Sequence, residues 1–283
     1  NGWSLAFTKR LDVKNPILAD HRLAGKSVLP FALSIEWLAR AAVEAHPLWV
    51  VGSYSDLRVF KGITIGATPE DIGVWVSAPE LSPAGLPRVT VELRNAKDQT
   101  HVRLVVNFAR ENPERPAPWA ALPGLNAFTK SMRQVYAEQL FHGASLEAIE
   151  AIEGIGDAGM TLRLKNHPTS ERLWLGSSDR WVIDPLVSDG IFQALIVWCR
   201  AQKGAPSLPS KLTGLQTFAT LTRPGSLRCV VKIREVDGAS VTSDIELLDE
   251  SNAVVARYEG YTCTMSQSLD RAFASSESTL TAV

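Results

Sequence analysis

Two segments of this 283-residue chain are apolar on almost every side, and they constrain the fold more than any other feature. They are residues 31–43 (FALSIEWLARAAV) and 186–199 (LVSDGIFQALIVWC). Each is longer than an ordinary strand and follows a proline, Pro30 or Pro185, that suits the start of a helix. A helix that is hydrophobic all round must be wrapped by other elements. The sequence therefore predicts two buried helices, one in each half of the chain.

Runs of alternating apolar and polar residues follow each predicted helix. They are residues 57–65, 72–76, 89–93 and 102–108 in the first half, and 212–219, 227–233, 241–248 and 254–261 in the second. A period of two predicts antiparallel strands with one buried face. The two prolines lie 155 residues apart, so each half combines one buried helix with an antiparallel sheet. We expect an α+β fold, a double hotdog with two tandem hotdog halves. Two unrelated α+β domains would fit the same pattern.

The proline-rich segment ENPERPAPWAALPG separates the two halves and is typical of a linker. We therefore expect an N-terminal hotdog over residues 1–110, a linker over 111–126 and a C-terminal hotdog over 127–266. Residues 267–283 end in ASSESTLTAV, a polar composition that predicts a linker tail. Because the chain also begins at Asn1, without an initiator methionine, we expect it to be part of a longer polypeptide.

The charge balance gives no electrostatic argument for binding nucleic acid or an anionic membrane. The chain has 29 Lys and Arg residues against 30 Asp and Glu residues, a net charge of -1. No stretch approaches the roughly 20 apolar residues of a membrane span, and no signal peptide opens the chain. We expect a cytoplasmic protein. The three cysteines lack CxxC spacing and the histidines lack HxxxH spacing, so we predict no disulfide framework and no metal site.

Two polar side chains interrupt the second apolar segment. Asp189 and Gln193 are four residues apart and project from the same helix face. An ionised carboxylate among apolar neighbours costs several kcal/mol unless it is paired or protonated. Burial raises a carboxyl pKa, which makes a neutral acid that can donate a proton near pH 7. Asp189 could instead cap the helix, but Asp184 is the better candidate because Pro185 would then be the first helical residue.

A histidine precedes the first buried helix in the sequence HRLAGKSVLP, where His21 is followed by Gly25 and Pro30. A glycine there allows backbone to approach a ligand closely. The helix N-terminus supplies backbone N–H groups and a partial positive charge, which suit a carbonyl oxygen that becomes more negative during a reaction. An imidazole in one half and a carboxyl group in the other indicate an acid/base enzyme.

HRLAGKSVLP fits the pattern HxxxGxxxxP and DGIFQ fits DxxxQ, so the chain resembles the dehydratase domains of polyketide synthases and polyunsaturated fatty acid synthases. The resemblance covers essentially the whole chain. It implies that His21 is the base that removes the α-proton of a 3-hydroxyacyl thioester. Asp189 would protonate the departing β-hydroxyl, with Gln193 holding Asp189 in place. Gly25, through its backbone N–H, and the helix that follows would polarise the thioester carbonyl, and Pro30 would shape the helix entrance.

The chain departs from this family where many members have the motif YGPxF. It reads Phe141, His142 and Gly143 there, with His142 in place of the tyrosine and Leu146 in place of the phenylalanine. We expect Phe141, His142 and Gly143 to contact substrate. His142 fits either a hydrogen-bond donor in the pocket or a loop histidine with no catalytic part.

The resemblance also implies the partners. The substrate would arrive on the phosphopantetheine arm of an acyl carrier protein, so the domain itself would need no cofactor. Neighbouring synthase domains would be partners, and a homodimer is compatible with such folds. Two other functions stay open: a product-template-like cyclase, which forms aromatic rings from poly-β-keto chains, and a non-catalytic hotdog that docks a carrier protein.

Overall fold

The computed structural model describes residues 2–166, 181–221 and 225–274. In chain order, the elements of the first half are β1 (Trp3–Leu11), α1 (Pro16–Asp20), β2 (Arg22–Leu23), β3 (Lys26–Val28), α2 (Phe31–Ala45), β4 (Val50–Val59), β5 (Thr64–Ile65), β6 (Glu70–Ser77), β7 (Glu80–Leu81), β8 (Pro87–Arg94) and β9 (Thr100–Ala109). Those of the second half are α3 (Met132–Glu138), β10 (Ile149–Gly156), β11 (Gly159–Asn166), α4 (Pro185–Lys203), β12 (Ser207–Thr217), β13 (Gly225–Asp237), β14 (Ser240–Leu248), β15 (Val254–Met265) and α5 (Leu269–Ala274), with a 3-10 turn at Ala144–Leu146 before β10.

The helices α2 and α4 are the two predicted buried helices. Most of their residues are buried, including every residue of α4 from Pro185 to Cys199. Asp184 caps α4, because its side chain accepts hydrogen bonds from the backbone N–H groups of Leu186 and Val187 at 2.9 and 3.2 Å. The alternative in which Asp189 serves as the cap is therefore wrong. Asp189 lies one turn inside the helix and its carboxyl group is free for another role.

Twelve strands of the described part of the chain form one antiparallel sheet. The order along the sheet is β1-β6-β8-β9-β4-β12-β15-β14-β13-β11-β10, with β7 paired to β8. The two halves join where β4 pairs with β12, with Tyr54 opposite Leu215. The sheet packs against α2 through β6, β8 and β9 and against α4 through β11 and β12, and the two helices touch each other. This arrangement, one buried helix per half of the sheet, confirms the predicted double hotdog.

A buried carboxyl group ties the two halves together near the start of α4. Glu36 of α2 accepts hydrogen bonds from the backbone N–H groups of Val182 and Ile183 at 3.0 and 2.7 Å. Its other oxygen pairs with the Arg40 guanidinium at 2.7 Å. Glu36 therefore fixes the segment from which α4, the helix that carries Asp189, begins.

The segments expected to be linkers make contacts with the second half. Between the halves, Trp119 donates its backbone N–H to Glu246 at 2.8 Å, and Asn126 pairs with Ile155. In the expected tail, residues 269–274 form α5, because Phe273 packs its ring against Phe141 at a centroid distance of 4.6 Å. Residues 275–283 lie outside the described part. No helix among the described residues is long and apolar enough to span a bilayer.

Candidate active site

His21 follows the short helix α1 and begins a tight hairpin of β2 and β3. Ala24 and Gly25 form the turn, both with positive φ values of 50° and 72°, and glycine adopts such a conformation without strain. The hairpin brings Val28 back to His21. The backbone N–H of Val28 donates to the His21 carbonyl at 2.9 Å, and His21 Nδ1 donates to the Val28 carbonyl at 2.7 Å. Because Nδ1 carries the hydrogen, Nε2 holds the free lone pair.

The loop that carries His21 is fastened to a loop of the second half. His21 and His142 form an isolated antiparallel bridge. Asp20 accepts the backbone N–H of Gly143 on its carbonyl at 2.9 Å and that of Ser145 on its carboxylate at 2.8 Å. A Cβ at Gly143 would lie 2.5 Å from Asp20 Cγ, so this position needs glycine. The sequence pattern did not single out Asp20, although it directly precedes His21.

Asp189 lies on α4 in a chain of short hydrogen bonds. Gln193 Nε2 donates to Asp189 Oδ2 at 2.7 Å and to the Leu146 carbonyl at 2.8 Å. Gln193 Oε1 accepts from the Tyr136 hydroxyl at 2.7 Å, and that hydroxyl accepts the backbone N–H of Ile149 at 2.8 Å. The predicted orientation of Asp189 by Gln193 thus has a geometric basis. Tyr136 was missed because it lies on a short, largely polar helix.

His21 and Asp189 both line a cavity of about 210 Å³. The other lining residues are mostly apolar and come from both halves: Leu23, Val28, Leu29, Phe31, Ser34, Val59, Lys61, Gly62, Ile63, Val102, Phe192, Leu208 and Pro209. The imidazole and the carboxyl group therefore face a common space. Gly25 and Pro30 are not in this lining: Gly25 forms the hairpin turn and Pro30 the N-cap of α2.

The histidine that replaces the family tyrosine lies beside the acid. His142 Nε2 is 3.5 Å from Asp189 Oδ2, and its ring stacks on Phe141 at a centroid distance of 4.0 Å. Its Nδ1 atom is buried with no hydrogen-bond partner among the described residues. His142 is therefore a polar group of the site with unused hydrogen-bonding capacity.

One group among the described residues has donor atoms close enough together to hold a metal ion. It consists of His21, His142 and Asp189, with one donor atom from each and all three atoms within 4.8 Å of one another. The sequence spacing did not predict this group, because its members come from three separate segments. The same proximity places the His21 imidazole and the Asp189 carboxyl group within reach of one small substrate.

Burial sets the protonation of the site. Desolvation lowers the pKa of His21 to about 4, although its hydrogen bond to Val28 acts in the opposite direction. Desolvation, together with the neighbouring His21, lowers the pKa of His142 well below its ordinary value. Desolvation raises the pKa of Asp189 to about 7, partly offset by the hydrogen bond from Gln193. Near neutral pH both imidazoles are neutral and a large fraction of Asp189 is protonated.

Comparisons with known proteins agree with this architecture. A family profile described as polyketide synthase dehydratase N-terminal domain matches residues 111–272, and one described as polyketide synthase dehydratase domain matches residues 2–102. One of the subunits of the polyunsaturated fatty acid synthase of Thraustochytrium sp. (strain ATCC 26185 / S-3) is 26% identical over 216 residues. That match covers 74% of this chain but only 8% of the relative.

Solved dehydratase domains share the fold. A trans-AT polyketide synthase dehydratase domain from Brevibacillus brevis has a TM-score of 0.73 at 18% identity, covering 92% of this chain and 93% of that one. The dehydratase domain from the CurF module of curacin polyketide synthase has a TM-score of 0.71 at 15% identity, with the same coverage. Because one profile spans more than half of the residues and the other spans the half that supplies His21, the chain belongs to the polyketide synthase dehydratase family.

Proposed function

We propose that this domain removes water from a 3-hydroxyacyl thioester to give a 2-enoyl thioester, with His21 as the base and Asp189 as the acid. The observation that carries the proposal is their meeting, from opposite halves of the chain, at one largely apolar cavity. The elimination needs a base at the α-carbon and an acid at the β-hydroxyl, two neighbouring positions of one substrate.

His21 has the form that a base requires. Its Nδ1 hydrogen is held by the Val28 carbonyl, so Nε2 can accept the α-proton. With a pKa of about 4, the imidazole is unprotonated over the whole neutral range. Breaking the Cα–H bond transfers the proton to Nε2, and the electron pair forms the Cα=Cβ bond.

Asp189 has the form that an acid requires. Its carboxyl group holds a proton up to a pH of about 7, because the site is desolvated. As the Cβ–O bond breaks, Asp189 gives this proton to the leaving hydroxyl, which departs as water. Gln193 Nε2 then stabilises the carboxylate that remains. After the step the proton on His21 returns to Asp189 through the released water, because the two side chains lie within 4.8 Å of each other without a direct hydrogen bond.

The cavity wall supports binding of the acyl thioester. Phe31, Val102 and Phe192 give it an apolar surface for the acyl chain. Pro30, the N-cap of α2, offers no side-chain cap, so backbone N–H groups of the first turn are available for the thioester carbonyl. Of the two groups to which the resemblance gives this role, we assign it to the α2 N-terminus, because Gly25 lies in the hairpin turn and outside the cavity lining.

The substrate is proposed to arrive on the phosphopantetheine arm of an acyl carrier protein within a larger synthase. The support is the long relative, of which this chain matches 8%. We assign Phe141, His142 and Gly143 to the loop beside Asp189 and outside the cavity lining. His142 supplies a hydrogen-bonding group next to the acid, Phe141 stacks on His142, and Gly143 joins the loop to Asp20. The chemistry assigned to His21 and Asp189 uses no further cofactor.

The test is turnover of 3-hydroxyacyl thioesters, free and carrier-bound, followed by mass spectrometry. The expected product has lost one water. His21→Ala and Asp189→Ala should each slow turnover by about 10²- to 10⁴-fold. Ser145→Ala is the control, because it changes a side chain of the loop that carries His142 but keeps the backbone N–H that Asp20 accepts.

Other outcomes would contradict the proposal. A cyclised aromatic product from a poly-β-keto chain would favour the product-template-like cyclase. Carrier binding without any conversion would favour a docking module. Parental turnover by either alanine variant would show that the acid and base are assigned wrongly.

A further inference from the structure

We propose that Tyr136 is a positioning residue for the acid: its hydroxyl orients the Gln193 amide so that Nε2, and not Oε1, faces Asp189. The inference rests on the proposed dehydration. It concerns a tyrosine on α3, next to the segment between the halves, that contacts the site through Gln193.

Two backbone groups fix the direction of each hydrogen bond in the series that links Tyr136, Gln193 and Asp189. The Ile149 N–H can only donate, so it donates to the Tyr136 oxygen at 2.8 Å. The Tyr136 hydroxyl then has its own hydrogen for Gln193 Oε1, at 2.7 Å. At the other end the Leu146 carbonyl can only accept, and it takes one Nε2 hydrogen at 2.8 Å. The second Nε2 hydrogen is left for Asp189.

The orientation of the amide matters for the reaction. An amide N–H stabilises the carboxylate that Asp189 becomes after it has given up its proton. A reversed amide would present Oε1, an acceptor, which favours the protonated acid and withholds stabilisation as the charge develops. Tyr136 makes the reversed amide unfavourable, because its hydroxyl would then face the NH2 group while the Leu146 carbonyl faced Oε1.

Several ionisable groups face Asp189 and share its titration. His142 and His21 lie opposite it on the two joined loops, with donor atoms within 4.8 Å. Tyr136 on α3 and Tyr261 on β15 are near enough to interact with it electrostatically. Burial raises the pKa of both tyrosines, so both stay neutral in the range of the assay. A change in the alkaline limb of the pH profile therefore reports on Asp189 and its orientation.

The test is Tyr136→Phe, measured as kcat and KM across the pH range with a 3-hydroxyacyl thioester. We expect kcat to fall by roughly ten- to a hundredfold, the loss expected when a hydrogen bond to a developing charge is weakened. KM should change little, because the apolar cavity wall is unaltered. The alkaline limb should move to higher pH, because the freed amide can turn its oxygen to the acid.

Tyr258→Phe is the matched control. It removes another buried tyrosine hydroxyl, one that is bonded at 3.0 Å to Ser188 of the same helix α4. Both variants should lower the melting temperature, but the control should keep the parental pH profile. If Tyr136→Phe also loses only thermal stability, Tyr136 has a structural role and the inference is wrong.

Two further variants keep the test decisive. In a Gln193→Leu background, Tyr136→Phe should cause no additional loss of kcat, since the tyrosine acts through the amide. Should Tyr136→Phe not fold, 3-fluorotyrosine at position 136 keeps the hydroxyl and strengthens its donation, so the alkaline limb should move to lower pH. An unchanged limb, or additive losses, would overturn the inference.

A wild-type domain without turnover would overturn the proposed function as well, whereas an active wild type with an unaltered Tyr136→Phe profile would overturn the inference alone.

Discussion

Replacing the buried acid by its neutral isostere should make the protein more stable at high pH while removing its activity. The pKa of Asp189 is raised from the ordinary 3.8 to about 7 in the folded protein. Because the folded state holds this proton more tightly than the unfolded chain, its contribution to stability is complete below about pH 4. The contribution is lost as the pH rises to about 7. Above that pH it is absent, and the stability no longer changes with the titration of Asp189.

The size of the effect follows from the shift. Three pKa units at 1.36 kcal/mol each amount to about 4 kcal/mol of stability lost at pH 9, against under about 2 kcal/mol at pH 5. Asp189→Asn does not titrate and keeps an oxygen that can accept from Gln193. The free energy of unfolding of Asp189→Asn, minus that of the wild type, should therefore increase by about 2–3 kcal/mol from pH 5 to pH 9.

Denaturant unfolding of both proteins at a series of pH values measures this difference. Contributions of the two site histidines and of Glu36 are present in both proteins and cancel to first order. Asp71→Asn, which makes the same substitution at an exposed position, is the control. If the difference between Asp189→Asn and wild type is the same at pH 5 and pH 9, Asp189 does not hold a proton in the folded state and the assignment of the acid fails.

Three further results are expected. The pH profile of kcat/KM should rise through a pKa of about 4, as His21 loses its proton, and fall about tenfold per unit above a pKa of about 7, as Asp189 ionises; a profile flat from pH 6 to pH 9 would contradict this. Gly143→Ala should reduce both kcat and the melting temperature, because its methyl group would meet Asp20, whereas Gly66→Ala, whose methyl group would have its nearest neighbour at 4.0 Å, should cost little of either. Glu36→Ala should destabilise the fold by about 3–5 kcal/mol in denaturant unfolding, since it removes the buried carboxylate that pairs with Arg40 and accepts two backbone N–H groups. Glu44→Ala, which removes the exposed partner of the same arginine at 3.7 Å, should cost under about 1 kcal/mol.

The sequence predicts the elements whose apolar residues follow a clear pattern, either on one side of a strand or all round a helix. The helix expected over residues 31–43 spans Phe31–Ala45, and the one expected over 186–199 spans Pro185–Lys203. Strand β1 was not predicted, because it is an edge strand with most side chains at least partly exposed and therefore has little alternation. Strands β10 and β11 were also missed: glycines interrupt the first, and the second is buried on both faces over most of its length.

The residues of the site were also predictable only where the sequence pattern marks them. Asp189 stood out because a carboxyl group in an apolar helix demands an explanation, and His21 because of the residues spaced after it. Asp20 and Tyr136 carry no such signal. Each acts through a hydrogen bond to a residue distant in the chain, from Asp20 to Ser145 and from Tyr136 to Gln193. Such partners become visible only when the two halves are placed together.

The duplicated architecture explains why the two halves build one shared site. The turn of α2 that corresponds to Asp189 carries Ser34 and Ile35, so the first half has no acid of its own at this place. Its contribution is the imidazole, held on a hairpin that the Asp20 contacts and the backbone bridge to His142 join to the second half. A substitution that weakens these contacts between the halves therefore separates the base from the acid without altering either side chain. For that reason the contacts between the halves belong to the catalytic arrangement as much as the two proton-transfer groups do.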